Sequence, residues 1–248
     1  MNTSYCTVVT RIAPGQWHAL EDDQVVGRAH ASHRPDGRLF LSIDAWHDAV
    51  FDRLAEAMLA DLPRPLYTVV DEADVDLRLN WLRAGFTTRR REWELLVSTV
   101  AGVGSGQPPA GVTILPVGAA EEGPLRILDR VIRDEVEATV GWQEMPAEVL
   151  PRLDPSKYAV AARPDRYVGL LRLAALPRQP RIGLVAVRSD QRRRGVARAL
   201  LAQTLASLHE RGIPTVAADV NESNGPAMAL FDGLGARRVS SNLELVLR

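Results

Sequence analysis

The sequence predicts an α/β protein made of two successive domains, each with a mixed, mostly antiparallel sheet flanked by helices. A glycine- and proline-rich segment interrupts the 248-residue chain near its middle. On both sides of this segment, apolar periodicity indicates the order strand, helix, strand, helix, strand. Identical residues recur at a constant offset (235 − 85 = 150) between the halves: Gly85 and Gly235, Glu94 and Glu244, and Leu95 and Leu245. Two explanations fit this match: duplication of one segment, or chance similarity between two α/β segments.

The domain boundaries follow from the interruption at residues 99–111. Its glycines and prolines disfavour the interiors of helices and strands, so this segment is predicted to be a linker. Residues 1–98 then form the first domain and residues 112–248 the second. Each part is long enough for its own core, since domains usually contain about 50–200 residues.

In the first half, alternating apolar and polar residues predict a strand at 38–44, and helical spacing predicts a helix at 47–62. The remaining predicted elements are a strand at 65–70, a helix at 75–83 and a strand at 92–97.

The second half begins with a predicted strand at 112–117, an amphipathic helix at 124–140, and a hairpin formed by residues 158–162 and 167–175. The order of the first half then returns, with strands at 181–187, 214–220 and 243–247 and helices at 196–211 and 226–234. The sequence therefore predicts a mixed sheet covered by helices here as well.

Composition is typical of a soluble globular protein, with 46% hydrophobic and 25% charged residues. The formal net charge of −1 disfavours general binding to nucleic acid or to an anionic membrane, since both need a basic excess. Cys6 is the only cysteine, which excludes an intrachain disulfide and favours a cytoplasmic protein. Lys157 is the only lysine, and this bias toward arginine is typical of a GC-rich bacterial genome.

A basic, glycine-containing turn lies between a predicted strand and a predicted helix of the second half. The strand ends at Val185, Ala186 and Val187, and the turn and helix start read Gln191, Arg192, Arg193, Arg194, Gly195, Val196, Ala197 and Arg198. The first N–H groups of a helix have no internal partner and lie at the positive end of its dipole, so they bind phosphate oxygens. Gly195 lets the backbone approach closely, and the arginines add charge-assisted contacts. An arginine-rich turn is also typical of an ordinary solvated surface.

This turn resembles the central motif of the GNAT superfamily of N-acyltransferases, R/Q-x-x-G-x-G/A, here at residues 192–197. A second family motif, N-x-x-A-x-x-L-Y-x-x-L-G-F, is matched at Asn224, Ala227, Leu230, Leu234 and Gly235, with departures at Phe231 and Ala236. The resemblance covers residues 112–248. It implies an N-acetyltransferase domain that uses acetyl-CoA, or another short acyl-CoA, as co-substrate and needs no metal.

The resemblance also implies a set of binding residues. The pantetheine arm would run beside Val185, Ala186 and Val187 and pair with their backbone. The pyrophosphate would contact the following residues: Arg192, Arg193, Arg194, Gly195, Val196, Ala197 and Arg198. Asn224 and Phe231 would flank the cofactor, and Asn224 also fits a helix N-cap, a role compatible with the first.

Phe231 stands where the family usually has a tyrosine that protonates the leaving thiolate, and phenylalanine has no proton to give. A thiol pKa of roughly 8.5 makes the thiolate a tolerable leaving group. We therefore expect direct attack by the amine without a tyrosine acid, with water or Ser223 as a substitute.

The general base is sought among acidic side chains in or just after the helix that, by the resemblance, faces the acceptor: Asp134, Glu135, Glu137 and Glu144. Glu135 is the preferred candidate, and Asp219, just before the second motif, is the other. Acidic residues on an amphipathic helix are also typical of a solvated face.

The first half lacks the phosphate-binding turn. Its strand at 39–43 is followed by residues 44–48, which contain Asp44 and Asp48 but neither glycine nor arginine. Two carboxylates would repel a pyrophosphate. This half is expected to be a degenerate copy with a structural role, as in tandem members of the family such as the mycothiol synthase group. The spacing of its histidines is that of surface residues rather than of metal ligands: His18, His30, His33 and His47.

The expected function is transfer of an acetyl group to a primary amine of a small molecule or peptide in a ternary complex. A catalytically silent acyl-CoA-binding regulator is the alternative, favoured by Phe231 and by the degenerate first half. Another kind of nucleotide-binding protein is disfavoured, because the turn lacks the Lys-Ser/Thr pair of a P-loop and the glycine triplet of a dinucleotide fold. We expect a monomer or homodimer with no nucleic-acid or membrane partner.

Overall fold

The computed structural model describes residues 7–102, 106–141, 144, 153–174 and 179–248. The chain divides into two compact units. The first contains Met1–Glu92 and Ser240–Arg248, and the second contains Trp93–Val239. Each unit has its own strands, helices and apolar core.

The first unit has the strand order β1-β2-β3-β4-β5-β12. Its elements are β1 (Val8–Ala13), β2 (Gln16–Glu21), β3 (Gln24–His33), β4 (Leu39–Ala45), α1 (Asp48–Asp61), β5 (Leu66–Asp71), α2 (Val75–Arg83) and most of β12 (Arg237–Leu247). Strands β4 and β5 are parallel, and the other pairs are antiparallel. Trp81 lies in the core, with edge-to-face contacts to Phe51 at 5.1 Å and to Phe86 at 4.8 Å between ring centroids.

The second unit has the strand order β6-β11-β10-β9-β8-β7. Its elements are the second half of β6 (Thr87–Ser98), β7 (Thr113–Leu115), α3 (Glu122–Glu137), β8 (Tyr158–Ala162), β9 (Tyr167–Ala174), β10 (Arg181–Val187), α4 (Val196–Glu210), β11 (Thr215–Asn221) and α5 (Gly225–Asp232). The main core packs α4 and α5 against one face of the sheet, and a smaller cluster packs α3 against the other face. The mixed, mostly antiparallel sheet flanked by helices that the sequence predicts is confirmed.

The compact units differ from the predicted domains by an exchange of end segments. The sequence assigns residues 93–98 to the first domain, but Leu95 and Val97 are fully buried in the core of the second unit. It assigns the last strand to the second domain, but Leu245 and Leu247 lie in the core of the first unit, where β12 pairs with β5. Strand periodicity shows which face of a strand is buried, and it does not show against which core.

Part of the predicted linker is packed against the second unit. Residues Thr99–Gly102 form a 3-10 turn, and the Thr99 hydroxyl donates to the carbonyl of Ile213 at 2.7 Å. A Cβ added to Gly102 would lie 2.5 Å from the carbonyl oxygen of Ala202 in α4. Glycine is therefore required at this position because the two backbones touch.

Equivalent positions of the two units carry the same local structure at the offset of 150. Asp74 and Asn224 are the N-caps of α2 and α5, and each side chain accepts a hydrogen bond from the backbone N–H three residues later. Gly85 and Gly235 follow these helices with φ of +93° and +70°. These matched positions support the tandem arrangement predicted from the sequence.

Strands β1, β2 and β3 are absent from the sequence prediction. Their periodicity is weak because few of their side chains are buried. In β2, for example, only Trp17 and Ala19 are buried. All six residues of β1 are exposed or half-buried, so this strand does not need alternating apolar residues. No helix in the described part of the chain is long and apolar enough to cross a membrane.

Candidate functional site

The parallel strands β10 and β11 are neighbours in the second unit but separate along their length. They pair at the start of β10, where Arg181 lies opposite Ala217 and Ile182 lies opposite Ala218. The backbone N–H of Ala217 also donates to the carbonyl of Pro180 at 3.0 Å. Beyond these positions no pairing joins the described residues of the two strands.

On its other side β10 pairs with β9 throughout, as far as Val187 opposite Gly169. The register shifts between Ile182 and Leu184, which is a bulge, and bulges bend a strand and increase its twist. The backbone of residues 184–187, hereafter the open edge, therefore faces an opening rather than a neighbouring strand. An unpaired strand edge can bind an extended chain through its N–H and C=O groups.

The chain leaves β10 through a turn with two left-handed backbone conformations. After a 3-10 turn at Ser189–Gln191, Arg193 has φ +64° and Gly195 has φ +85°. A left-handed conformation costs a non-glycine residue roughly 1–2 kcal/mol. A Cβ added to Gly195 would have Pro109 Cγ as its nearest neighbour, at 3.9 Å. Glycine is thus favoured at position 195 by its backbone conformation rather than by lack of space.

Residues 191–198, hereafter the phosphate turn, present a basic and accessible surface. The exposed residues of the turn are Arg192, Arg193, Arg194, Gly195 and Arg198. Val196 is buried in the core and Ala197 is half-buried, so these two offer mainly backbone. Gly195 is the N-cap of α4 and no side chain caps this helix. Its first N–H groups are available to an anion.

Glu135 ties the end of α3 to the start of the phosphate turn. Its carboxylate accepts hydrogen bonds from the backbone N–H and the hydroxyl of Ser189, both at 2.9 Å. It also pairs with Nη2 of Arg192 at 3.2 Å, while Nε of Arg192 donates to the carbonyl of Val187 at 3.1 Å. The sequence singles out Glu135 as a base, whereas these contacts occupy its oxygens and position the turn.

Asp190 braces the same segment from the other side. It accepts hydrogen bonds from Nη2 of Arg166 at 2.8 Å and from Nε of Arg188 at 3.2 Å. A hydrogen bond from Gln191, and then the neighbouring Arg188 and Arg166, hold the pKa of the Asp190 carboxyl below its usual value. Asp190 therefore keeps its charge, and with it these contacts, at neutral pH.

Helix α5 carries the two remaining residues of the predicted cofactor site. Asn224 is exposed, and its Oδ1 accepts a hydrogen bond from the N–H of Ala227 at 3.2 Å, as expected of an N-cap. Phe231 is 4% exposed and belongs to the main core. Asn224 is therefore accessible to a ligand, whereas the Phe231 ring contributes mainly to packing.

Asp219 lies in an ion-pair network across three strands. Arg181 of β10 donates to Asp219 of β11, and its Nη2 lies 2.9 Å from Glu94 of β6. Burial lowers the pKa of Arg181, but the hydrogen bonds and charges of Asp219 and Glu94 outweigh it and raise that pKa. Because Arg181 holds the carboxylate of Asp219, this side chain is better suited to a structural role than to that of a general base.

The other acidic candidates lie on or after α3. Asp134 and Glu137 are exposed, and Glu144 is half-buried. Ser223 donates its N–H and its hydroxyl to Oδ1 of Asn221, both at 3.0 Å.

Strands β4 and β5 of the first unit separate in the same way, since they pair at Leu39 with Leu66 and at Phe40 with Tyr67. The segment after β4 is different, because Asp44 and Asp48 are exposed there and Trp46 is 72% exposed. Helix α1 begins directly at Asp48 without a glycine turn. Within the described residues of the chain, no group of three or more His, Cys, Asp or Glu side chains is arranged to hold a metal ion.

Comparison with known proteins agrees with this geometry. Residues 128–236 match the profile of the Acetyltransferase (GNAT) family. A segment of 136 residues is 32% identical to a mycothiol acetyltransferase from Thermomonospora curvata. This match covers 52% of the chain and 46% of the relative, so the chain spans less than half of that protein's length.

Solved structures share the fold over nearly the whole chain. A GCN5-related N-acetyltransferase from Sphaerobacter thermophilus superposes with a TM-score of 0.64 at 16% identity, covering 96% of this chain and 82% of that one. A tandem GNAT protein from the clavulanic acid biosynthesis pathway gives a TM-score of 0.65 at 15% identity, covering 94% and 82%. The chain is thus similar to GNAT acetyltransferases over residues 128–236, and it shares the fold of these solved structures over nearly its whole length.

Proposed function

We propose that the second unit transfers an acetyl group from acetyl-CoA to a primary amine of a small molecule or peptide, in a ternary complex. One observation carries the proposal: the open edge of β10 leads directly into the phosphate turn at the start of α4. An extended arm paired with residues 184–187 would place its terminal pyrophosphate on exposed N–H groups and arginines.

The residues present fit this co-substrate. Gly195 keeps the helix start accessible, and the exposed Arg193, Arg194 and Arg198 supply positive charge for phosphate oxygens. Arg192 is directed toward Glu135 and Val187, so its part is to shape the turn. Asn224 caps α5 through its oxygen, which leaves its amide N–H groups for a ligand.

In the proposed reaction a neutral amine attacks the thioester carbon, the C–S bond breaks, and the amine proton passes to water. The unpaired N–H groups of the open edge are suited to stabilise the oxyanion that develops. Since Phe231 has no hydroxyl, the thiolate leaves without a proton from α5, which its pKa of roughly 8.5 allows.

A catalytically silent acyl-CoA-binding regulator is the second candidate. It is favoured by the buried Phe231 and by the contacts that occupy Glu135 and Asp219. Titration with acetyl-CoA and a thiol-release assay separate the two functions. Both predict binding, whereas only the enzyme predicts release of thiol that depends on an added amine.

Replacing Glu135 with alanine is expected to raise KM for acetyl-CoA about tenfold, because a charged hydrogen-bonded pair contributes roughly 1.5–3 kcal/mol. The kcat value and its pH profile should change by less than about threefold. A general base would show the opposite pattern, with kcat reduced about 10²–10⁴-fold. Glu122→Gln, an exposed carboxylate on the same helix, is the matched control.

Introducing a hydroxyl with Phe231→Tyr is expected to change turnover by less than about threefold. The ring is buried in the main core, so the new hydroxyl meets apolar neighbours and lowers stability by roughly 1–3 kcal/mol. Thiol release and thermal unfolding are measured on the same preparation. A gain in kcat of two orders of magnitude would show that α5 can supply a catalytic acid. It would contradict the hypothesis that the thiolate leaves without protonation by a side chain.

A further inference from the structure

A row of three residues crosses the face of the second sheet that α3 covers. Arg172 of β9 lies opposite Tyr158 of β8 on one side and opposite Leu184 of β10 on the other. Opposite residues in antiparallel strands have Cα atoms about 5 Å apart. Leu184 is the first residue of the open edge, so Arg172 is one strand away from the place where the acyl group is proposed to lie.

The guanidinium of Arg172 has an uncompensated nitrogen. Its Nη1 is buried and has no hydrogen-bond partner among the described residues. The residue as a whole is half-buried, so part of it is accessible from solvent. A buried cationic donor without a partner costs folding free energy, and an anionic ligand would offset that cost.

The charged side chains near this row are paired with one another rather than with Nη1 of Arg172. Arg181, in the adjacent strand, is bound by both Asp219 and Glu94. On α3, Asp129 and Arg133 pair with each other across one helical turn. The acidic groups near this row are thus already engaged by other cations.

Tyr158 adds a second potential donor beside Arg172. It is 2% exposed and packs in the cluster beneath α3. Burial, and then the charge of Asp129, raise the pKa of its phenol, so the hydroxyl keeps its proton at neutral pH.

We propose that Arg172 binds a carboxylate of the acceptor, so that the acceptor is a small amine that also carries a carboxylate, such as an α- or ω-amino acid. This inference rests on the proposed acetyl transfer. In such compounds one to a few carbon atoms separate the amine from the carboxylate. A carboxylate on Arg172 therefore leaves the amine close to the open edge at Leu184. A phosphate dianion fits less well, because a single guanidinium faces the site and Asp129 lies nearby.

The test uses matched pairs of acceptors that differ in the carboxylate: L-tyrosine and tyramine, L-histidine and histamine, and β-alanine and ethylamine. Thiol release from acetyl-CoA is measured for the full chain. At least one carboxylate-bearing member should exceed its partner in kcat/KM by tenfold or more. Arg172→Gln should reduce this ratio to below threefold by raising KM, and Arg172→Lys should restore part of it. The exposed Arg130→Gln is the control and should leave the ratio unchanged.

The proposal is overturned if the wild-type chain does not prefer the carboxylate-bearing members, or if Arg172→Gln lowers both members of a pair alike. If no member is acetylated, the same compounds are titrated into the chain saturated with CoA, and failure of every carboxylate-bearing compound to bind also overturns it. Acetyl-CoA affinity is measured separately on each variant. If the wild-type chain does not bind acetyl-CoA, the proposed function is refuted. Binding of a carboxylate that depends on Arg172 would still support the carboxylate site.

Discussion

Replacing Gly195 with valine is expected to weaken acetyl-CoA binding at least about 30-fold, which corresponds to roughly 2 kcal/mol. Gly195 has φ +85°, and a β-branched residue does not tolerate the left-handed region. The backbone would rotate to a negative φ and turn the first N–H groups of α4 away from the pyrophosphate. Isothermal titration with acetyl-CoA measures the effect.

Gly212 provides the matched control for this substitution. It lies just beyond α4, has φ +74°, and an added Cβ would meet nothing within 4 Å. Gly212→Val should therefore cost similar stability in thermal unfolding without changing affinity for acetyl-CoA. Equal losses of affinity in the two variants would mean that α4 is destabilised as a whole and that the turn has no specific role.

A fragment of residues 93–239 is expected to fold and to bind acetyl-CoA within a fewfold of the full chain, whereas residues 112–248 should not fold. The first fragment keeps Leu95 and Val97, which are fully buried in the second core. The other fragment loses them and carries Leu245 and Leu247, whose own core is missing. Circular dichroism and titration with acetyl-CoA compare the two fragments.

Single substitutions in the full chain check the same exchange of segments. Leu95 and Leu245 stand at the offset of 150 and are both fully buried, in the second and first core respectively. Each alanine variant should lose roughly 2–5 kcal/mol of stability. If instead the fragment of residues 112–248 unfolds cooperatively and binds acetyl-CoA, the assignment of Leu95 to the second core and of Leu245 to the first core is incorrect.

The elements around the site could be predicted because their signals are local. The strand of residues 181–187 and the helix start at Val196 agree with β10 and α4, since apolar runs bounded by a basic glycine turn leave little choice. The N-cap Asn224 likewise follows from residue type. The phosphate turn was therefore visible in the sequence.

The partners of the side chains could not be predicted, because they come from distant parts of the chain. Glu135 meets Ser189 across 54 positions, and Arg181 meets Glu94 across 87 positions. Periodicity carries no information on such contacts. Arg172 did leave a signal, as a charge inside the otherwise apolar strand β9. Its meaning depends on the lack of a hydrogen-bond partner for Nη1 among the described residues.

A crystal structure of the full chain with acetyl-CoA tests the central claim most directly. We predict the pantetheine arm paired with the open edge at residues 184–187 and the pyrophosphate on the N–H groups at the start of α4. Acetyl-CoA bound between β4 and β5 of the first unit, or away from the phosphate turn, would contradict the assignment of the second unit as the site of acetyl transfer.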